Sequence, residues 1–162
     1  SLSWAASTGV VNRLGNAAGG RIAMAFLTGR CMCEAVTWTY SGVITRNLVC
    51  HCADCRRATS APLTAFLGMR PEQVSWTGEI MHFESSPNTF RGFCPACGTR
   101  LYFRSDRWPR EIHVHAATMT NPDDNQPDAQ VLTRSRMKWL DRLTSIPAHD
   151  GFQEKPADRP GT

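Results

Sequence analysis

The chain has 162 residues, enough for one compact domain with a real core and too few for two comfortable ones. Its 18 basic residues against 14 acidic ones leave a formal charge of +4, an excess too small to demand a polyanionic partner. No run approaches the roughly 20 apolar residues that cross a bilayer, which excludes a helical membrane anchor.

Residues 1–23 are rich in Ala, Gly, Ser and Asn, and Met24 stands just before the patterned region. We expect this leader to be an upstream extension or a disordered segment, with the domain proper over 24–150. No basic stretch followed by an apolar one opens the chain, so a cytoplasmic rather than a secreted protein is expected. From Ala25 onward the chain reads as short extended runs. "EAVTWTY" alternates Ala35, Thr37 and Thr39 with Val36, Trp38 and Tyr40, the period-two signature of a strand, and Ser41-Gly42 should end it. A single helical turn is expected over Asp54 to Ser60. "LTAFLGM", "QVSWTG", "IMHFES", "TFRGF", "RLYFRS" and "EIHVHAA" then repeat the strand pattern, punctuated by Pro71, Gly78, Pro87, Gly98 and Pro109. "SRMKWLDRL" is an ambiguous amphipathic piece, and the tail from Gly151, with Pro156 and Pro160 among charges, reads as disordered. Close spacing of short strands predicts a mainly β fold of small antiparallel sheets. Trp38, Trp76, Phe83, Phe93, Tyr102 and Phe103 sit at strand spacing and are expected to be core rather than a substrate platform.

All seven cysteines fall into three tight groups: Cys31-x-Cys33, Cys50-x-Cys52-x-x-Cys55 and Cys94-x-x-Cys97. The odd count and the ligand-like spacings weigh against a disulfide framework, and core thiols have no reason to cluster, so the groups read as zinc ligands. In Cys94-Pro95-Ala96-Cys97-Gly98 the proline should set the turn and the glycine should let backbone amides approach the sulfurs. Seven thiolates divide into four plus three. A closed four-sulfur site stabilises a fold, whereas three ligands keep a position open for water or substrate. Spacing leaves two partitions. Cys52 and Cys55 with Cys94 and Cys97 would strand the other three; Cys31 and Cys33 with Cys94 and Cys97 would leave one loop to supply the open site.

"GRCMCEAV", "CHCADCRRATSAP", "WTGEIMHFESSPNTFRGFCPACGTRLYF" and "MKWLDRL" before "IP" resemble, in order from about Phe26 to Asp150, the glutathione-dependent formaldehyde-activating enzyme family, which is also similar to the centromere protein V domain. The resemblance implies a fold similar to the Mss4-like zinc proteins. It also implies two zinc ions per chain, a structural one on Cys31, Cys33, Cys94 and Cys97 and a catalytic one on Cys50, Cys52 and Cys55. The implied activity is that of a carbon–sulfur lyase acting on a thiol–aldehyde adduct such as S-hydroxymethylglutathione, with glutathione as the small-molecule partner.

Three thiolates on Zn2+ leave one net negative charge, which weakens its Lewis acidity and suits thiol binding better than water activation. Sixteen of the 18 basic residues are arginines, whose planar forks fit carboxylates. Arg56, Arg57 and Arg100 adjoin the metal loops in sequence and are candidates to receive the two carboxylates of glutathione. His51, between two ligands, is expected to face solvent or bond the loop backbone. His113 and His115 share one strand face, and packing or surface placement is expected of them. Asp54 would cap the following turn. The competing class is a non-catalytic zinc module for a protein or nucleic-acid partner. Nucleic acid is disfavoured by a pI of about 8.8 and only two lysines.

Overall fold

A computed structural model describes residues 24–151. The leader over 1–23 and the tail beyond Gly151 lie outside the described residues. Ten strands make two sheets. The smaller is antiparallel with order β1-β2-β5, from β1 (Met24–Arg30), β2 (Thr37–Val43) and β5 (Val74–Thr77). The larger has the order β10-β3-β4-β9-β8-β7-β6. Its members are β3 (Arg46–Cys50), β4 (Thr64–Met69), β6 (Met81–Ser86), β7 (Thr89–Phe93), β8 (Arg100–Ser105), β9 (Ile112–His115) and β10 (Ala129–Val131). Every pairing in it is antiparallel except β10 with β3, which is parallel. The fold is mainly β and Mss4-like, as expected.

Alternation explains how the sheets meet. Ala25 and Leu27 on β1, Trp38 and Tyr40 on β2 and Val74 on β5 point inward, against Leu67, Met69, Leu101, Ile112 and Val114 of the large sheet. Each such burial stabilises by about 1.5–3 kcal/mol before entropy is counted. The Trp38 ring stands on Gly29, where an added Cβ would lie 2.2 Å from it, and its indole N–H donates to Thr118 Oγ1 at 3.1 Å.

Ser41-Gly42 does not end β2, which runs on to Val43. The Tyr40 ring lies back along the strand over Gly42, and its hydroxyl donates to the Val43 carbonyl at 2.6 Å. The glycine therefore makes room for an aromatic and does not turn the chain. The expected helical turn is α1 (Ala53–Thr59), and the ambiguous C-terminal piece is a 3₁₀ helix over Lys138–Ser145. The core assignment of the aromatics holds for Trp38 and Tyr102 and fails for Phe83, which is 58% exposed. The cause is topological: β6 is an edge strand with every residue exposed.

The other face of the large sheet carries a band of aromatic, histidine and arginine side chains. Register aligns Phe66 with His115, His113 with Phe103, Phe103 with Arg91 and Arg91 with Phe83, so these side chains stand on one face, in a band crossing β4, β9, β8, β7 and β6.

Candidate metal centres and the adjoining cavity

The bend after β1 carries Cys31 and Cys33, and the turn between β7 and β8 carries Cys94 and Cys97. Both are tight. The Cys31 amide donates to Val36 O at 2.9 Å, and Gly98 N donates to Cys94 O at 2.8 Å with Gly98 at φ 73°. Gly98 is therefore required for its left-handed backbone, and its amide goes to a carbonyl instead of a sulfur. Thr99 ties the two turns together: its hydroxyl accepts from Met32 N at 3.0 Å and lies 3.1 Å from Cys97 Sγ. The four sulfurs lie within 4.8 Å of one another, with Cys31 to Cys33 at 3.5 Å and Cys33 to Cys94 at 3.8 Å. A tetrahedron with ~2.3 Å metal–sulfur bonds has edges of about 3.8 Å, so this spacing is that of a zinc cage.

Cys50 ends β3, Cys52 caps α1 and Cys55 lies in its first turn; their sulfurs also fall within 4.8 Å of one another. Cys52 Sγ accepts from Cys55 N at 3.2 Å, so a candidate metal-ligating atom is also the helix cap. Asp54 does not have the capping role expected of it; it is an exposed residue of the first turn. Phe66 and Phe103 pack against this cluster from the sheet.

The thiols are polarised in each group. The hydrogen bond from Cys55 brings Cys50 down to about 5, while Cys55 is raised because it holds that proton and is buried. The Thr99 hydroxyl brings Cys97 down to about 5. Cys33 is driven up to about 12; the Ala35 amide favours its thiolate, but the hydrogen bonds it shares with Cys97 and Cys31 hold its proton. Sulfurs this close cannot all ionise without a cation among them, so both donor sets fit zinc. Of the two partitions that spacing left open, the fold makes the second: Cys31, Cys33, Cys94 and Cys97 in one cluster, Cys50, Cys52 and Cys55 in the other.

His51 departs from expectation. It is 0% exposed, and Nε2 meets the Gln130 side-chain oxygen at 2.9 Å, because β10 docks beside β3 and closes over it. His113 and His115 are packed, as expected. His115 lies 4.8 Å from the Phe66 ring, and His113 stacks on Phe103 at 5.5 Å with Nε2 at 2.9 Å from Glu111.

The three expected arginines do not converge. Arg57 and Arg100 line a cavity of about 400 Å³ with Asp54, Ala58, Phe83 and Arg91. Arg56 opens into a second cleft of about 390 Å³, which Arg57 also lines, on the side of α1 that faces Met137 and Trp139. Sequence reasoning missed Arg91 and Phe83 of the first cavity. Alternation along "TFRGF" puts Arg91 on the face of Phe93, but only the pairing of β7 with β8 and β6 brings it beside α1.

The fold and the two thiol clusters define a mainly β protein with two cysteine groups that could each hold zinc, the second offering three sulfurs. Residues 26–135 match the family described as glutathione-dependent formaldehyde-activating enzyme, and the chain belongs to that family. A protein of Schizosaccharomyces pombe named an uncharacterized lyase is 30% identical over 103 residues, covering 64% of this chain and 75% of its own length. A crystal structure of a Rhodobacter sphaeroides protein superimposes with a TM-score of 0.53 at 19% identity, over 65% of this chain and all of the other, and shows the shared fold. These relationships support a lyase-type role that depends on glutathione or formaldehyde chemistry.

Proposed function

We propose that this protein is a carbon–sulfur lyase that makes or splits the adduct of glutathione and formaldehyde, using two zinc ions in different roles. The reading rests on one observation above the others: the Cys50, Cys52 and Cys55 sulfurs converge with no fourth side-chain ligand among the described residues, and the helix that carries Cys55 also supplies Asp54, Arg57 and Ala58 to a cavity lined with arginines. Cys31, Cys33, Cys94 and Cys97 would hold the structural ion, leaving it no open position. Cys50, Cys52 and Cys55 hold the catalytic ion. Zinc there would supply an open coordination position and would favour the deprotonated form of an incoming thiol at neutral pH.

The chain's own residues do the rest. The Cys55 amide, aimed at Cys52 Sγ, fixes the loop's geometry, and Phe66 and Phe103 exclude water from its inner side. Arg57 and Arg100 in one cavity, with Arg56 at the other, receive carboxylates of the thiol and hold it against the site. In the forward direction a C–S bond forms as the thiol sulfur adds to the aldehyde carbon, and the carbonyl oxygen takes up the proton the thiol has lost. Seven free thiols agree with a reducing compartment such as the cytoplasm. Among the described residues no helix is long and apolar enough to cross a membrane.

Glutathione and formaldehyde combine without a catalyst, so product alone proves nothing. The test is zinc stoichiometry, followed by zinc-edge X-ray absorption during a glutathione titration and a rate measured above the uncatalysed background. Two zincs, one gaining a sulfur neighbour as glutathione binds, are expected together with acceleration of the reaction. One zinc, or two whose shells do not change, would favour the non-catalytic module.

A further inference from the structure

We propose that Arg91 is the anion-holding residue of the cavity beside the three-cysteine site, and that its guanidinium takes a carboxylate of the thiol substrate. The proposal rests on the thiol–aldehyde reading above, yet gives a role to a residue that the reading leaves without one.

Burial is the first argument. Arg91 is 8% exposed and lines the cavity. Its Nε donates to Ser85 Oγ at 3.1 Å, while Nη1 is sealed from solvent with no hydrogen-bond partner. No carboxylate of the described residues forms an ion pair with it. A buried guanidinium whose charge no carboxylate answers is costly, and an anion in the cavity that Arg91 lines would offset that cost.

Position is the second. The guanidinium lies 5.2 Å above the Phe103 ring, and Phe103 packs against the Cys50, Cys52 and Cys55 cluster. The helix that carries Cys55 supplies Asp54, Arg57 and Ala58 to the same cavity wall. An anion on Arg91 would therefore lie against the helix that carries Cys55.

Charge is the third. The cavity wall holds three arginines, Arg57, Arg91 and Arg100, against the single carboxylate of Asp54. Nearby His115 adds no positive charge, because burial, reinforced by Arg91 and Arg100, holds its imidazole down to about 3. The positive field is the arginines' own, and the exposed Phe83 ring offers an apolar wall for the aliphatic part of the ligand. The volume suits a small molecule.

The test is calorimetric titration of the zinc-loaded protein with two probes. S-methylglutathione keeps both carboxylates and has no free thiol; N-acetylcysteamine has a free thiol and no carboxylate. The wild-type protein should bind both. R91Q should bind S-methylglutathione about 10- to 100-fold more weakly, with R91K between, while its affinity for N-acetylcysteamine stays unchanged. The diethyl ester of S-methylglutathione, which has lost both carboxylates, should bind wild type at least as poorly as the parent binds R91Q. Equal binding of S-methylglutathione by wild type and R91Q, or none by wild type, would overturn the proposal. Arg91-dependent binding of S-methylglutathione without any binding of N-acetylcysteamine would sink the thiol reading and leave the anion site standing. If circular dichroism shows R91Q to be unfolded, R91K decides: weaker binding supports the assignment, and wild-type affinity refutes it.

Discussion

His115 and His113 alternate with Val114 along β9, and their shared face decides their chemistry. His113 keeps a carboxylate partner in Glu111, which Arg46 also contacts at 2.7 Å. Glu111 is buried in part, yet these partners hold its carboxyl below the usual range. His115 has no such partner: it is packed against Phe66, and burial with two arginine charges takes it from an ordinary 6.5 to about 3. The unfolded chain therefore binds a proton at this position more readily than the folded one. Stability contributed by the neutral ring is complete above pH 6.5 and is lost as the pH falls through the window down to 3. At pH 5.5 the loss should be about 1–2 kcal/mol relative to pH 7.5. Urea unfolding at the two pH values should show H115Q losing less stability than wild type by that amount. Zinc ligands titrate alike in both proteins, so the difference isolates the imidazole, and parallel losses would show that His115 is not held neutral.

Helix α1 runs for only seven residues and is fixed at both ends by unusual means, with a ligand sulfur as its N-cap and Ser60 as a left-handed C-cap at φ 53°, whose amide donates to Arg56 O. A side chain in that conformation costs about 1 kcal/mol relative to glycine. S60G should accordingly raise Tm by about 2–4 °C in a thermal melt without altering zinc content; a lower Tm would mean that the serine side chain contributes packing that outweighs the strain. The helix also shows what the sequence could reveal. Its cysteines were legible because ligand spacing is local, and strands such as β8 and β9 were legible because alternation is local too. Arg56 and Arg57 are neighbours in sequence and share the second cleft, yet only Arg57 also reaches the cavity of Arg91 and Arg100, so adjacency to a ligand did not tell which of the two faces that cavity. β10 is three residues that become a strand only by pairing with β3, and that same pairing buries His51. Arg91 and Phe83 needed the register of three strands, which no single stretch of residues encodes.

On the scale of the whole molecule, the two cysteine clusters differ in what they join. Cys31 and Cys33 leave the three-stranded sheet, Cys94 and Cys97 interrupt the seven-stranded one, and Cys31 and Cys94 are buried in the core between them. An ion there ties together segments more than 60 residues apart, and its binding energy is folding energy. Cys50, Cys52 and Cys55 lie within one strand-to-helix connection, so an ion there organises little beyond α1. C97S should therefore lower Tm by at least about 10 °C or leave the chain unfolded. C52S should remove one equivalent of zinc and all activity above background, yet shift Tm by only about 3 °C, since a serine hydroxyl can take over the cap on the Cys55 amide. Melts with parallel zinc determination separate the cases. Equal destabilisation by the two variants would mean that both ions brace the same core, and the three-cysteine site would lose its claim to be free for chemistry.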